Sequence, residues 1–241
     1  RSMIITRTPF RMSFFGGGTD MPEFFREHGG AVLSTTFDKY CYVNVRHLPP
    51  FFDYSTELSY SKLERVTRVE DLEHPAVREA MKFLDMHELR LTYEADLPAR
   101  SGLGTSSSFA VGMLNAFYAL KGKYADKKKL ADEAIYLERE LCREAGGWQD
   151  QIAASFGGLN VIRFDADGYR VSPVMHSTTS LNLQLTDKEK EPSRKGTTGC
   201  SIFPFPSISF LSVYMIGKYR ELWVRKDMIE FLGSLSLLEC Y

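Results

Sequence analysis

Residues 97–120 read LPARSGLGTSSSFAVGMLNAFYAL, and no other stretch limits the fold as strongly. A proline, two glycines one residue apart and a Thr-Ser-Ser-Ser run lead straight into an apolar segment long enough for a buried helix. The sequence therefore calls for a loop that feeds a helix N-terminus. The first N–H groups of a helix lack intrahelical partners and together carry roughly half a positive charge, so such an end attracts anions. Glycines admit an anion close to the backbone, and the hydroxyls of Thr105, Ser106, Ser107 and Ser108 can cap the helix, bond phosphate oxygens or ligate a metal. A phosphate cradle and an ordinary Ser/Thr cap after a glycine turn fit this stretch equally well.

Better-known loops do not fit it. The pattern GxxxxGK[ST] needs a lysine after the last glycine, where Thr105 stands after Gly104, and GxGxxG needs a third glycine where Ser107 stands. The nucleophile elbow GxSxG fails for want of a glycine after the serines. With 30 basic and 31 acidic residues the net charge is -1, which gives no global pull toward nucleic acid or an anionic membrane. Any phosphate recognition must be local. Cys41, Cys142, Cys200 and Cys240 are widely spaced and read as free thiols rather than a disulfide framework or zinc site. The first twenty residues lack the apolar core of a signal peptide, and no apolar run reaches membrane-spanning length, so the expectation is a soluble cytoplasmic protein.

Taken in order, residues 3–6 and 11–15 read as short strands on either side of Thr8-Pro9, ending at Gly16-Gly17-Gly18-Thr19-Asp20. Asp20 fits a helix cap before Met21-Pro22 or a carboxylate offered to a ligand. Residues 31–36 and 39–46 alternate as a hairpin or adjacent strands, residues 55–69 are ambiguous, Pro75 opens a helix carrying Val77, Met81 and Leu84, and residues 89–95 form a half-buried strand entering the glycine loop. Asp126 caps a helix that runs to Gly146-Gly147 with Leu130, Ala134, Leu137, Leu141 and Ala145 as its buried stripe. Glu138 lies beside or within that stripe, where it requires either a cationic partner or a metal. The acid of Trp148-Gln149-Asp150-Gln151 sits between two amides, as a group in a donor-rich setting or as an N-terminal acid favoured by the helix dipole. Residues 159–164 and 169–174 flank Asp165-Ala166-Asp167-Gly168 as a hairpin.

Three blocks in this order, RTPFRMSFFGGGTD, PARSGLGTSSS and GGWQDQIAASFGG, resemble the galactokinase, homoserine kinase, mevalonate kinase and phosphomevalonate kinase (GHMP) family over about residues 3–175. The triple glycine, Phe37-Asp38-Lys39-Tyr40 and GGWQDQ are most similar to its heptose phosphate kinases. The resemblance implies an α+β fold, the GHMP-kinase N-terminal domain with its ribosomal protein S5 domain 2-like mixed sheet and helices, over residues 1–175. It implies ATP and Mg²⁺ as cofactors and phosphorylation of a sugar hydroxyl, on D-glycero-D-manno-heptose phosphate.

By the same resemblance Pro98 and Gly102, Leu103, Gly104, Thr105, Ser106, Ser107 and Ser108 wrap the nucleotide phosphates, and Ser106 and Glu138 ligate the metal. Asp150 orients or deprotonates the acceptor hydroxyl, Arg11 sits near the transferred phosphate, and Gly17, Gly18, Thr19 and Asp20 face the sugar. Gly17-Gly18 replaces the Glu-His of common sugar kinases, which implies a bulkier or already phosphorylated substrate. A homodimer is compatible with this reading; nucleic-acid and membrane partners are not expected.

From about His176 the resemblance stops. The KxxGAGxGG-type motif of complete members has no counterpart in residues 176–241, which hold a polar run over 186–198, the turn Phe203-Pro204-Phe205-Pro206 and an amphipathic stretch over 219–232. The expectation there is a truncated, divergent or frame-altered C-terminal segment. The alternatives to a heptose phosphate kinase are a homologue that binds nucleotide or sugar without turnover, and a relative acting on another small metabolite.

Overall fold

The computed structural model describes residues 3–98 and 101–174, together with the backbone of three strands beyond them. Two long strands set the frame. β1 (Met3–Phe15) pairs antiparallel along β2 (Gly30–His47), with α1 (Pro22–His28) in the connection. The opposite edge of β2 is shared, since residues 41–47 pair with β5 (Leu89–Ala95) and residues 30–35 with β6 (Leu159–Asp165). Beyond these lie β3 (Thr56–Ser59) and β4 (Leu63–Val66) on one side and β7 (Gly168–Pro173) on the other. The expected break at Thr8-Pro9 is not a break. The strand runs through it, and the register shifts between Pro9 and Arg11, so the residue that cannot donate a ladder bond sits at a bulge.

That irregularity has a use. Arg11 donates its backbone N–H to the Leu103 carbonyl at 3.2 Å, tying the middle of β1 to the glycine loop. Glu57 pins the far side of the sheet. It stands directly opposite Arg65 on β4 and Arg90 on β5, accepts from Arg65 and the Tyr54 hydroxyl at 2.9 Å each, and pairs with Arg90. These bonds, that from Arg90 foremost, hold the buried Glu57 carboxyl down at about 2.

The helices cover one face. A short 3-10 turn (Val69–Asp71) leads to α2 (Pro75–Phe83), and α3 (Thr105–Leu120) is buried on nearly all sides, which explains its unbroken apolar sequence. It packs on β1 closely enough that a Cβ at Gly112 would stand 2.6 Å from the Thr8 hydroxyl. α4 (Lys127–Tyr136) starts at Asp126, whose side chain accepts from the Lys129 N–H at 2.7 Å as the sequence predicts. The helix does not continue regularly to Gly146. It widens into a π turn over Leu137–Leu141 and stops. α5 (Gln149–Phe156) follows, and Phe25, Val32, Ile135, Ile152, Ile162 and Phe164 close the core beneath it, with Trp148 edge-on to Phe25 at 4.9 Å.

The chain divides into Arg1–Met175, which holds these elements, and His176–Tyr241. In the second unit β8 (Leu183–Gln184), β9 (Thr198–Ile202) and β10 (Ser212–Met215) form an antiparallel sheet in the order β10-β9-β8. The turn at Phe203-Pro204-Phe205-Pro206 and the helix expected over 219–232 lie outside the described residues. No helix among the described residues is long and apolar enough to cross a membrane.

Candidate active site

Residues far apart in sequence converge at the first turns of α3 and α5. Gly104 is the N-cap of α3, in the left-handed conformation at φ 71°, and no side chain caps the helix. The ordinary Ser/Thr cap is therefore not what the hydroxyls do. Ser108 donates instead to the Pro9 carbonyl at 2.9 Å, and Ser107 to Glu138 Oε2 at 2.7 Å. Gly102 and Ser106 are exposed, Leu103 is buried and Thr105 is half-buried. Pro98 is exposed, and Ala99 and Arg100 lie outside the described residues.

Arg11 and Asp150 form the charged centre. The guanidinium Nε and Nη2 reach Asp150 Oδ1 at 2.8 and 2.7 Å, while Nη1 donates to the Gly102 carbonyl at 3.1 Å. The pair lies against Gly104 so closely that a Cβ there would stand 3.1 Å from Arg11 Cγ and 3.4 Å from Asp150 Oδ2. Acid, cation and glycine loop are thus one unit, and the acid is only partly covered, with its side chain 24% exposed. A partly open carboxylate fixed beside a helix N-terminus can orient or deprotonate a hydroxyl next to a bound phosphate.

Two features of the site go beyond what the sequence predicts. Among the described residues, the hydroxyl that meets Glu138 belongs to Ser107, whereas Ser106 is turned to the exposed side of the first turn of α3. Helix phase decides this, because neighbouring residues point roughly 100° apart. Glu138 is 2% exposed, and Gln151 Nε2 also donates to its Oε2. Burial pushes the Glu138 carboxyl up, against the bonds from Ser107 and Gln151. The adjacent cation, Arg139, does not neutralise it by contact but spends its fork on the Gly147 and Glu144 carbonyls.

Asp20 is the second of these features. It is not the cap of α1, whose N-cap is Met21; the residue is 2% exposed and its carboxylate is engaged. It accepts from the Gly18 N–H at 3.0 Å and from the Gln149 N–H and Nε2 at 3.1 Å each. A Cβ on Gly147 would fall 1.8 Å from Asp20 Oδ2, so no space separates the two segments. Asp20 thus ties the Gly18 turn to the start of α5. Thr19 is likewise engaged, with Gly16 and Ala31, while Gly17 and Gly18 are exposed.

Gln149 and Gln151 were not singled out individually by the sequence, although two amides flanking an acid were the available signal. Gln149 bridges Asp20 and Ser13, whose hydroxyl donates to Gln149 Oε1 at 2.6 Å. Three consecutive side chains of α5 therefore reach three parts of the site: Asp20 and Ser13, then Arg11, then Glu138.

Comparison with known proteins agrees with this architecture. Residues 69–158 match the family described as GHMP kinases N terminal domain. The chain is 31% identical over 173 residues to the D-glycero-alpha-D-manno-heptose 7-phosphate kinase of Campylobacter jejuni, covering 67% of this chain and 50% of that protein. The crystal structure of a D-glycero-D-manno-heptose 1-phosphate kinase from Bacteroides thetaiotaomicron superposes with a TM-score of 0.64 at 25% identity, over 72% of this chain and 60% of that one. The mevalonate kinase of Methanococcus jannaschii shares the fold at 14% identity and a TM-score of 0.56, over 73% of this chain and 56% of that one. The chain spans about half the length of the heptose kinase it matches and 21% of the L-fucokinase/L-fucose-1-P guanylyltransferase of Bacteroides fragilis. On its sequence, its mixed sheet and the loop at α3, the chain carries the N-terminal domain of the GHMP kinases.

Proposed function

We propose that this chain is a cytoplasmic sugar kinase that transfers a phosphoryl group from ATP to a hydroxyl of D-glycero-D-manno-heptose phosphate. The observation that carries the reading is the Arg11–Asp150 pair seated against Gly104 at the N-terminus of α3. The backbone of residues 102–106 and the hydroxyls of Thr105 and Ser106 cradle the nucleotide phosphates. Asp150 orients the acceptor hydroxyl and takes its proton, and Arg11 holds Asp150 in place while its charge faces the phosphoryl being transferred. Exposed Gly17 and Gly18 leave room on the sugar side for a substrate that already carries a phosphate.

The chain also suits a divalent cation. Ser107 and Glu138 are buried together, offer oxygen ligands and include a carboxylate without a contacting cation partner among the described residues, donors matched to Mg²⁺. Magnesium held there would supply neutralisation of phosphate charge.

Asp150→Asn tests the assignment in an ADP-release assay with D-glycero-D-manno-heptose phosphates. The expected result is turnover lower by about 100-fold or more with nucleotide binding nearly unchanged. Unchanged turnover removes Asp150 from the reaction. A second reading, a homologue that binds nucleotide or sugar without turnover, is favoured by the chain's spanning only half of the heptose kinase it matches. Nucleotide binding by the wild-type chain, with no ADP released on either free or phosphorylated heptoses, would select it.

A further inference from the structure

Gln151 carries an unusual pair of observations. Its side chain is fully buried, its Nε2 donates to Glu138 Oε2, and its Oε1 is buried without a partner. The orientation of the amide follows from its neighbour, because the flipped form would press oxygen against a carboxylate oxygen. Buried amide oxygens are ordinarily satisfied, and a bare one beside a carboxylate is a place where a partner is due. Both donors to Glu138, the Ser107 hydroxyl and Gln151 Nε2, engage the same oxygen, Oε2. Neither donor carries charge, and the nearby Arg139 acts on this carboxylate only from a distance, so no cation contacts it among the described residues.

We propose that Gln151 is a positioning residue and oxygen donor of the cation site: its Nε2 fixes the Glu138 carboxylate while its Oε1 is held as an acceptor for a divalent cation or a water on it. This inference rests on the cation reading proposed above and adds to it a residue that contacts neither the glycine loop nor Arg11 in the hydrogen bonds described. Its place in α5 follows from the same turn that delivers Asp150, so the acid and the cation site are set by adjacent residues of one helix.

The test is titration of the full chain with Mn²⁺, with and without ADP, followed by the electron paramagnetic resonance signal of free Mn²⁺ and by the rise in Tm that the metal produces. Gln151→Met is expected to weaken Mn²⁺ binding at least about 10-fold and to shrink the metal-dependent rise in Tm, whatever its effect on Tm in chelator. Gln151→Glu, which puts a second carboxylate at the bare acceptor, is expected to bind Mn²⁺ more tightly than wild type; a purely structural amide predicts no such gain. Should Gln151→Met fail to fold, Gln151→Asn, one methylene shorter, makes the same comparison. Wild-type binding of Mn²⁺ by Gln151→Met, or by Gln151→Asn where Gln151→Met does not fold, overturns the inference and leaves the cation site standing. A wild-type chain that binds no Mn²⁺ in either condition overturns the cation site and the role of Gln151 with it.

Discussion

Removing the Asp20 carboxylate separates its two readings more sharply than any other substitution. In Asp20→Ala, the Gly18 N–H, the Gln149 N–H and Gln149 Nε2 lose their common acceptor, which belongs to a residue only 2% exposed, although Gly18 itself is exposed and Gln149 half-buried. Hydrogen bonds to a charged group contribute about 1.5–3 kcal/mol each, and a buried donor left bare costs about 1–3 kcal/mol. Three donors set a ceiling near 9 kcal/mol by that scale, which water entering the vacated space reduces, since truncation costs above about 4–5 kcal/mol are exceptional. The expected loss is therefore about 3–5 kcal/mol. For a unit of this size each kcal/mol lowers Tm by roughly 2–4 °C, so Tm should fall by about 6–20 °C. Urea unfolding followed by circular dichroism gives the free energy directly. Asp20→Asn should recover part of it, because one oxygen is kept while its NH₂ opposes a backbone donor. A loss under about 1 kcal/mol in Asp20→Ala, joined to a raised KM for the sugar alone, would refute the argument and restore Asp20 as a substrate contact.

Two further outcomes follow from the charged groups. Glu57 is held at about 2 against an ordinary value of 4.5, so its contribution is present above about pH 4.5 and is lost as pH falls toward 2. Glu57→Gln should remove about 2 kcal/mol at pH 7 and flatten the fall in stability across that window, read by urea unfolding at stepped pH. Ser107→Ala should weaken Mn²⁺ binding more than Ser106→Ala does, because Ser107 is the residue bonded to Glu138. The reverse order in the Mn²⁺ titration would return the metal-ligand role to Ser106.

What could be read from the chain was what local chemistry fixes. The glycine loop, the start of α3, the Asp126 cap and the β6–β7 hairpin all rest on signals within a few residues. Pro9 misled because its missing N–H argues for a strand end, and only pairing with β2 reveals a bulge that tolerates it. The serine that meets Glu138 could not be read, since the phase of α3 and the π turn after α4 jointly choose it and a π turn leaves no periodic mark. Asp20 was beyond reach for a different reason: its partner Gln149 lies 129 residues away.

The fan of Gln149, Asp150 and Gln151 has a consequence for how the chain can vary. Successive residues of a helix point about 100° apart, so their three targets amount to an angular code. One residue inserted between Gly147 and Gln149 would turn the code by a full step and offer Arg11 an amide in place of an acid. The connection over residues 142–148 thus acts as a phase-setting spacer. Its length is constrained more tightly than the identity of Arg143, Glu144 or Ala145, all of which face solvent.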